Sequence, residues 1–529
     1  MNIIITGMMG VGKTTIGKKL AQRLDFEFVD IDEYIERKIQ LKIPLIFSTH
    51  GESYFRSLEK KFSQELAQKR NLVISTGGKT LLYKKNLNSL SSSGIIITLL
   101  ASPDNILKRI QLEKNKRPLL DSFPAKRLCE IYRKRKHRYL SLPNRIDTSH
   151  LSEEKVVEEI LKLIKGKKRK FDMKIEGKKS SVIVKRGIIN DLGSYLKDLA
   201  QEKRVFILSD ETVFALYRNE LIYELEKARL KYSIFLLSQG ERHKNLKTAE
   251  RIYHWLFKEK ATRSSVFISF GGGVVSDIGG YVASTYHRGL NLVNVPTTLL
   301  SQIDASIGGK NGVNLKEAKN QFGTFYFPSL VLIDPVFLLS LDHRQMKEGI
   351  IEALKAGIIG DEKLFQIIKY NPGGLFLKDM KLLDEVIMRA IKVKLNIVNQ
   401  DPYEKKERRF LNLGHTFGHA LESYYNYRKI SHGQAVGLGM ICACKMGILF
   451  NLSSENILAE IKNILLELKI PVKLRNLNVS KIISLMEYDK KRNNNRISFV
   501  IPRRIGEVLI KNNVNKNTIF ESLKEISYG

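Results

Sequence analysis

The chain has 529 residues, more than one hydrophobic core normally organises, so two or three domains are expected. Its 43% hydrophobic and 27% charged residues are typical of a globular protein and argue against disorder. A net charge of +34 would suit a nucleic-acid binder, but the basic residues are interleaved with acidic ones along the chain, which disfavours that function.

Neither a membrane span nor a signal peptide is predicted, because the apolar segments are strand-sized and the N-terminus has no basic leader. The three cysteines, Cys129, Cys442 and Cys444, form neither a disulfide framework nor a Cys-x-x-Cys metal pair. This usage indicates a reducing compartment. We therefore expect a cytoplasmic protein with no membrane partner.

Apolar strands alternate with amphipathic helical stretches over residues 1–165, a pattern typical of a parallel sheet. A run of basic residues without an apolar anchor follows, and we predict a linker at 166–171. A second α/β pattern covers 172–335. From 336 to 529 helical spacing dominates, and that part is predicted to be all-helical.

A complete P-loop motif occupies residues 7–14, between an apolar run at 2–6 and a helical stretch. Its glycines let backbone N–H groups close around phosphates, while Lys13 meets the terminal phosphates and the Thr14 hydroxyl can bind Mg²⁺. The strand–loop–helix context makes a chance glycine turn a weak alternative. The residues expected to contact ATP are Gly10, Val11, Gly12, Lys13, Thr14 and Thr15.

Asp30 and Asp32 follow the next apolar strand, where both carboxylates would face the phosphates. One could organise Mg²⁺ and the other the acceptor hydroxyl. An isolated Asp-x-Asp pair is more often a helix cap, and Asp32 could cap a helix over 33–38. Two downstream arginines, Arg56 and Arg135, suit an acceptor that bears a carboxylate and favour the catalytic interpretation.

Together these motifs resemble shikimate kinase over essentially all of residues 1–165. The resemblance implies that Lys13 and Thr14 serve ATP and Mg²⁺, and that Asp30 supports the metal. It implies a shikimate site formed by Asp32, Arg56, Gly78 and Arg135, with Arg117 as a catalytic lid residue that also contacts ATP. Lys79 stands where the family usually has a third glycine. A nucleoside monophosphate kinase is the alternative, which would need a base-binding pocket.

In the second half, three glycines at 271–273 follow an apolar run, a setting in which the backbone can approach a dinucleotide pyrophosphate. The motif is not the usual G-x-G-x-x-G, so an ordinary tight turn is the alternative. Polar loops at 240–244, 295–298, 304–310 and 319–320 are expected to converge on it. Together they predict a cofactor pocket lined with phosphate-binding groups.

Three histidines of the chain's ten, His415, His419 and His432, fall within eighteen positions. The first two are spaced i, i+4 and so share a helix face. A lone histidine is usually structural, but three so close favour a metal site, which Glu352 could complete for Zn²⁺. The alternative for Glu352 is a helix-surface residue paired with Lys355 at i+3.

The ordered series GGGV, VPTTLL, DASIGGK, KN and LNLGHTFGHA resembles 3-dehydroquinate synthase across about residues 172–529. The resemblance implies Glu352, His415 and His432 as ligands of Zn²⁺ or Co²⁺. It implies NAD contacts from Gly240, Glu241, Lys244, Gly273, Val274, Asp277, Thr297, Thr298, Lys310 and Lys319. It implies substrate-binding or catalytic roles for Asp304, Lys310, Asn320, Lys355, Lys394, Arg408, Asn412, His419 and Arg288. Ser276, Asn311 and Ala356 depart from the family's usual glycine, threonine and aromatic residue.

The implied reaction converts 3-deoxy-D-arabino-heptulosonate 7-phosphate to 3-dehydroquinate with release of phosphate, while NAD is reduced and reoxidised in each turnover. A metal-dependent polyol dehydrogenase is the alternative. A simple alcohol needs no cluster of ammonium groups such as Lys310, Lys319, Lys355 and Lys394, which favours a phosphorylated acid. The resemblance also implies a homodimer through the synthase half.

The predicted fold class is therefore α/β. A P-loop kinase domain with a parallel sheet is fused to an α/β nucleotide-binding domain, which is followed by an all-helical metal-binding domain. The two implied activities belong to chorismate synthesis but are not consecutive steps in it, so direct channelling is not expected. The small-molecule partners are ATP, shikimate and the heptulosonate phosphate.

Overall fold

The computed structural model describes residues 1–114, 125–315, 320–492 and 497–528. Contacts divide the chain into two compact units. The first contains Met1–Gly166, Leu339–Asp342 and Gly373–Leu383, and the second contains Lys167–Leu338, His343–Pro372 and Asp384–Gly529. Within the described residues, no helix has the length and apolar composition needed to cross a bilayer.

The first unit is built on a five-stranded sheet in the order β2-β3-β1-β4-β5, and every pair of neighbouring strands is parallel. This confirms the predicted parallel sheet. The strands are β1 (Asn2–Gly7), β2 (Glu27–Asp30), β3 (Leu72–Ser75), β4 (Gly94–Leu100) and β5 (Arg145–Asp147). The helices of residues 1–166 are α1 (Lys13–Leu24), α2 (Ile31–Ile39), α3 (Ile43–Ala67), α4 (Lys84–Ser91), α5 (Pro103–Lys114), α6 (Ala125–Leu140) and α7 (Glu153–Lys165).

The order of these strands explains where the first site forms. The three adjacent strands β2, β3 and β1 end in Asp30, in the glycine turn at 76–78 and in the P-loop, respectively. Because the carboxyl ends of parallel strands share one edge of the sheet, these three segments meet there. The central strand β1 is buried throughout, as its apolar run Ile3, Ile4 and Ile5 requires.

The second unit contains a seven-stranded sheet in the order β6-β7-β14-β11-β10-β8-β9, in which only the edge pair β6–β7 is antiparallel. Its strands are β6 (Arg169–Ile175), β7 (Lys178–Val184), β8 (Arg204–Asp210), β9 (Lys231–Leu237), β10 (Val266–Gly271), β11 (Asn291–Pro296) and β14 (Leu330–Ile333). A separate hairpin joins β12 (Lys310–Val313) to β13 (Phe322–Phe325). The helices of this part are α8 (Leu192–Lys197), α9 (Glu211–Lys227), α10 (Leu246–Lys258) and α11 (Gly273–Thr285).

Helices dominate the remainder of the chain. They are α12 (His343–Gly360), α13 (Glu362–Tyr370), α14 (Pro372–Phe376), α15 (Met380–Gln400), α16 (His415–Tyr424), α17 (His432–Leu449), α18 (Glu455–Glu467), α19 (Val479–Arg492) and α20 (Lys516–Lys524). They are accompanied by an antiparallel hairpin of β15 (Ser498–Arg504) and β16 (Glu507–Asn512).

Two sequence-based predictions need correction. The predicted linker at 166–171 is only partly a linker, because β6 begins at Arg169 and pairs with β7 through main-chain hydrogen bonds, which require no apolar side chain. The part from 336 onwards is not all-helical, because β15 and β16 form a hairpin. Gly506 turns that hairpin at a φ of 88°, and Phe499 and Ile501 bury one of its faces.

Two candidate active sites

The P-loop begins where β1 ends. Gly10 and Gly12 adopt φ angles of 73° and 92°, in the left-handed region that residues with a Cβ rarely enter, and Gly12 precedes the first turn of α1. The side chain of Lys13 curls back so that Nζ donates to the Met8 carbonyl at 3.1 Å. The Lys13 ammonium and the backbone N–H groups of the loop therefore converge at a helix N-terminus, an arrangement that suits polyphosphate.

Thr14 and Asp30 meet as predicted for a Mg²⁺ site, since the Thr14 hydroxyl donates to Asp30 Oδ2 at 3.0 Å. The other oxygen of Asp30 accepts from the backbone N–H of Asp32 at 3.1 Å and caps α2. The alternative interpretation placed a cap at Asp32. The structure assigns that cap to Asp30 and leaves the Asp32 side chain inside the first turn of α2.

The Asp32 carboxyl lies in a strongly perturbed environment. Burial, together with the neighbouring carboxylates of Asp30 and Glu59, raises the pKa of Asp32 to about 6. Burial also lowers the pKa of Lys13 to about 8, against the opposing effect of Asp32 and Asp30. A carboxylate of raised proton affinity beside the P-loop lysine is suited to accept a proton from a hydroxyl group.

Arg56 lies on α3, in the segment that follows a kink at Gly51, whose φ of 80° and ψ of 172° interrupt the helix. Its guanidinium donates to Glu52 Oε1 from Nε at 3.2 Å and from Nη2 at 2.9 Å, and Nη1 donates to Glu59. Arg56 is thus held by two carboxylates, of which Glu59 is buried and Glu52 is half exposed. It remains partly exposed itself, as a binder of an anionic acceptor must.

Gly78 follows β3 and links two elements of the site. Its carbonyl accepts a hydrogen bond from the Tyr139 hydroxyl, and Tyr139 also interacts with Arg135 one helical turn earlier on α6. A Cβ built on Gly78 would lie 3.8 Å from the Met9 N atom and 3.8 Å from the Tyr139 hydroxyl. The predicted acceptor residues Gly78 and Arg135 are therefore brought together beside the P-loop.

Gly78→Ala is expected to raise the KM for the acceptor by about tenfold or more without loss of thermal stability, since the methyl group enters the acceptor space at ordinary contact distances. Gly77→Ala should instead lower kcat. Its Cβ would lie 2.9 Å from Asp32 Oδ1 and should displace that carboxylate. Steady-state kinetics and thermal melts of both variants test this. An unchanged KM in Gly78→Ala would remove Gly78 from the acceptor site.

Arg109 was missed by the sequence analysis, although it contacts the P-loop. From α5 it donates to the Val11 carbonyl at 3.4 Å and to the Thr148 hydroxyl at 2.9 Å. Only a lone arginine in an amphipathic helix marks it in the sequence, and that signal is too common to use. Arg117, predicted as the lid residue, lies outside the described residues.

In the second unit, three of the predicted dinucleotide residues, Glu241, Lys244 and Asp277, form one cluster. The buried Lys244 Nζ lies 2.5 Å from Asp277 Oδ2 and 2.6 Å from Asn320 Oδ1. The neighbouring Glu241 accepts a hydrogen bond from Asn314 Nδ2 at 2.8 Å. The loops at 240–244 and 320 thus meet the first turns of α11, as the sequence predicted.

The glycine turn after β10 lies beside the end of β11, because Gly271 is in register with Pro296. The Thr297 N–H donates to the Gly271 carbonyl at 3.0 Å, and a Cβ on Gly272 would meet Thr298 Cγ2 at 3.1 Å. The Thr297 hydroxyl is buried and has no hydrogen-bond partner among the described residues. An unsatisfied buried hydroxyl at this turn fits a site completed by a polar cofactor.

The predicted metal ligands also come together. Glu352 on α12, His415 at the start of α16 and His432 at the start of α17 offer ligand atoms that all lie within 4.8 Å of one another. Glu352 Oε1 is 3.6 Å from Nε2 of each histidine, and it is buried without a hydrogen-bond partner in the described part of the chain. Two imidazoles and one carboxylate fit Zn²⁺ or Co²⁺ with an open position.

The structure bears on both interpretations of Glu352, as a metal ligand and as the ion-pair partner of Lys355. Lys355 does pair with it at i+3, with Nζ 2.5 Å from Oε2, but the pair is buried and does not lie on the helix surface. Burial alone would raise the pKa of Glu352, yet Lys355 and the two histidines hold it well below its usual range. These neighbours therefore favour the ionised carboxylate, the form that binds a cation.

Each histidine is oriented through its other ring nitrogen. His415 Nδ1 lies 3.1 Å from the Leu413 carbonyl, and His432 Nδ1 lies 3.3 Å from Glu422 Oε2. These contacts leave both Nε2 atoms directed at Glu352. The sequence analysis assigned no role to Glu422, although it lies seven residues after His415 in the same motif.

Glu422→Gln is expected to weaken divalent metal binding by roughly 10- to 100-fold, because His432 loses the carboxylate that fixes its ring and raises its basicity. Titration of the metal-free protein against a chromophoric chelator measures the affinity. Glu521→Gln on α20, whose carboxylate pairs with the exposed Lys524, is the matched control and should bind metal normally. Equal affinities of the two variants would contradict this role for Glu422.

Asp304 lies at the centre of a buried cluster of ammonium groups. It accepts from Lys394 Nζ and lies 3.8 Å from Lys355 Nζ, which in turn pairs with the predicted metal ligand Glu352. Burial opposes its ionisation, but the two lysines lower the pKa of Asp304 to about 2. A pocket is lined by Asp304, Glu352, Lys355 and Lys394 together with Ile303, Ala356, Ala390 and Leu411.

A second polar group surrounds Glu404, which the sequence analysis missed. Glu404 Oε1 lies 2.5 Å from Lys310 Nζ and 3.2 Å from Asn412 Nδ2, so it brings two predicted site residues together. Glu404 adopts a φ of 57°. The third predicted residue of this region, Arg408, is fully buried, and its guanidinium donates to the carbonyls of Gly308 and Pro402.

Of three further predicted residues, one lies beside His415, one lies apart from both clusters and one is outside the described range. His419 is exposed on α16, and its ring centroid is 5.4 Å from that of His415. Arg288 is exposed on the turn Tyr286–Arg288 and forms no hydrogen bond with the described residues of either cluster. Lys319 falls outside the described residues.

Comparisons with known proteins agree with this division. Family models match residues 9–165 as shikimate kinase, 234–348 as the N-terminal part of 3-dehydroquinate synthase and 349–492 as its C-terminal part. The chain is 34% identical over 517 residues to the bifunctional shikimate kinase/3-dehydroquinate synthase of Thermotoga maritima, covering 96% of this chain and 97% of that protein. It is 36% identical over 339 residues to the 3-dehydroquinate synthase of Clostridium botulinum, covering 64% and 96%.

Solved structures resemble the second half. The 2-epi-5-epi-valiolone synthase of Streptomyces hygroscopicus, with NAD⁺ and Zn²⁺ bound, is 27% identical with a TM-score of 0.62 and covers 66% of this chain and 98% of its own. A 2-deoxy-scyllo-inosose synthase in complex with carbaglucose-6-phosphate, NAD⁺ and Co²⁺ is 25% identical with a TM-score of 0.61, covering 68% and 100%.

Proposed function

This chain belongs to the bifunctional shikimate kinase/3-dehydroquinate synthase family, and on that premise we propose which residues carry each of its two activities. The N-terminal half phosphorylates shikimate from ATP. The C-terminal half converts 3-deoxy-D-arabino-heptulosonate 7-phosphate to 3-dehydroquinate and releases phosphate. Each half has its own set of side chains, so each activity can be removed separately.

In the kinase half, the P-loop amides and Lys13 hold the terminal phosphates of ATP, and Asp32 accepts the proton of the shikimate hydroxyl. Arg56, Arg135 and the backbone at Gly78 bind and orient the shikimate carboxylate. Mg²⁺ bound with ATP would be held by Thr14 and Asp30 and would neutralise charge on the phosphates. The observation that supports this most is the 3.0 Å contact between Thr14 and Asp30 beside Asp32.

In the synthase half, Lys310, Lys355 and Lys394 bind the carboxylate and phosphate of the substrate, and Asp304 fixes the last two of these lysines. NAD bound near Lys244, Asp277 and Thr297 would supply reversible hydride transfer. A divalent cation held by Glu352, His415 and His432 would act as a Lewis acid toward substrate oxygens. The observation that supports this most is the convergence of these three ligands within 4.8 Å.

Two assays on the purified protein test both activities. With shikimate and MgATP, we expect ADP and shikimate phosphate. With the heptulosonate phosphate, NAD⁺ and Zn²⁺, we expect phosphate release without net accumulation of NADH, because the hydride returns to the substrate in each turnover. NADH accumulating in step with substrate consumption would instead indicate a dehydrogenase.

We further propose a cytoplasmic homodimer that forms through the synthase half. The family relationship supports the dimer, and the buried, unpaired thiols of Cys442 and Cys444 suit a reducing compartment. Light scattering of the purified chain should give about twice the mass of 60.6 kDa. A mass equal to one chain at assay concentration would contradict the dimer.

A further inference from the structure

Lys79 departs from the family pattern at a position beside the acceptor site. It follows Gly77 and Gly78, and its φ of −108° and ψ of −13° lie in the right-handed region that any residue adopts. Lysine therefore replaces the usual third glycine without backbone strain. The backbone of the turn thus accommodates a long side chain that can contact neighbouring residues.

The Lys79 ammonium contacts the carboxylate of Glu52, which would compete with an acceptor carboxylate for Arg56. Its Nζ lies 3.1 Å from Glu52 Oε1, the same oxygen that accepts two hydrogen bonds from Arg56. On its other side, Arg56 donates to Glu59, and Glu59 Oε1 accepts from the Thr80 hydroxyl at 2.7 Å. A chain of contacts thus runs from Lys79 around Arg56 and returns to the neighbouring residue Thr80.

The net charge of this group of contacting side chains affects which ligands Arg56 can bind. Glu52 and Glu59 place two negative charges on one guanidinium, which would leave a net charge of −1 facing an incoming carboxylate. Lys79 restores neutrality. Its exposed fraction of 37% and the 52% of Glu52 place both on the solvent side of the cluster, whereas Glu59 is 1% exposed. Glu52 is therefore the carboxylate that an anionic acceptor must displace or pass.

We propose that Lys79 is a positioning residue of the kinase site: it holds and neutralises Glu52, so that Arg56 can pair with the acceptor carboxylate. The proposal rests on the role of Arg56 in the proposed function. Its consequence is specific. Lys79 should affect the KM for shikimate, and it should leave the KM for ATP and the phosphoryl-transfer step unchanged.

Lys79→Gln is the direct test, with an expected rise in the KM for shikimate of about three- to fivefold, the range of one exposed ion pair. Neither kcat nor the KM for ATP should change by more than about twofold. Lys79→Arg should retain the normal KM. Lys162→Gln, which removes an exposed lysine paired with Glu159 on α7, is the matched control and should behave as the unmodified protein.

A double-mutant cycle with Glu52→Gln separates charge compensation from simple loss of structure. If Lys79 acts by neutralising Glu52, Glu52→Gln alone leaves the KM normal or lower, and the double variant Glu52→Gln/Lys79→Gln returns close to the normal KM. A double variant as impaired as Lys79→Gln, or a normal KM in Lys79→Gln, would overturn the proposal. Thermal melts of all variants identify any that fail to fold.

Arg56→Lys shows which proposal fails if the expected result is absent. A large rise in the KM for shikimate in this variant, together with a normal KM in Lys79→Gln, would retain Arg56 as the carboxylate binder and reject only the role of Lys79. A normal KM in Arg56→Lys would reject the proposed acceptor site itself, because a flexible ammonium cannot replace a bidentate guanidinium there.

Discussion

Lys13→Met is expected to lower the kcat of the kinase by about 100- to 1000-fold and to leave the synthase unaffected. Lys13 is the cation of the P-loop, and a hydrogen bond from its Nζ to the Met8 carbonyl holds the ammonium group at the loop. Removing one preorganised cation from developing charge on a phosphoryl group has an effect of this size. Coupled measurement of ADP formation and phosphate release from the heptulosonate phosphate, on one preparation, gives both results.

Lys18→Met is the control for this variant, since Lys18 lies on the exposed face of the same helix and points toward the Phe28 ring at 5.8 Å. It should retain normal kinase activity. If Lys13→Met also kept more than a tenth of the activity, Lys13 would not be the phosphate-binding lysine, and the P-loop assignment would fail.

The second large effect is expected for His432→Ala, which should weaken Zn²⁺ or Co²⁺ binding by more than about 100-fold, beyond the range expected for residues that only orient a ligand. Synthase activity should then fall to the level of the metal-free protein, because two remaining ligands cannot hold the cation in place. Kinase activity should be unchanged. Metal content after gel filtration and phosphate release measure the two consequences.

His254→Ala on α10 removes an exposed histidine far from this motif in sequence and serves as the comparison. It should retain both metal and activity. Full activity of His432→Ala after exhaustive chelation would show that the cluster of Glu352, His415 and His432 does not hold a catalytic cation.

Local motifs allowed most of both sites to be predicted. The P-loop, Thr14 and Asp30 follow two strands that the apolar runs identify, and the parallel order of those strands brings them together. The i, i+4 spacing of His415 and His419 predicted a shared helix face, and the structure confirms the short distance between their rings. The ligand Glu352, more than sixty residues earlier, rested on the family resemblance, because local spacing also fitted a surface ion pair.

Two residues that are identified only by contacts with residues distant in sequence were not predicted. Arg109 reaches the P-loop across almost one hundred residues, and Glu404 is identified only by its contacts with Lys310 and Asn412. The start of β6 was missed because Arg169 and Lys170 continue the basic run, although Phe171, Met173 and Ile175 then alternate with polar residues as in a half-buried strand. The contacts of Arg109 and Glu404 arise from tertiary pairing, which periodicity does not record.

Asp30 has a dual bonding pattern that bears on how quickly its site can accept a cation. Because the helix-capping bond from the Asp32 N–H immobilises one oxygen, rotation about the side-chain torsions of Asp30 is already restricted before any ion arrives. Only the Thr14 contact on the other oxygen has to rearrange. The entropy of ordering this carboxylate is thus lost during folding, and ion capture at the nucleotide site requires no search among rotamers.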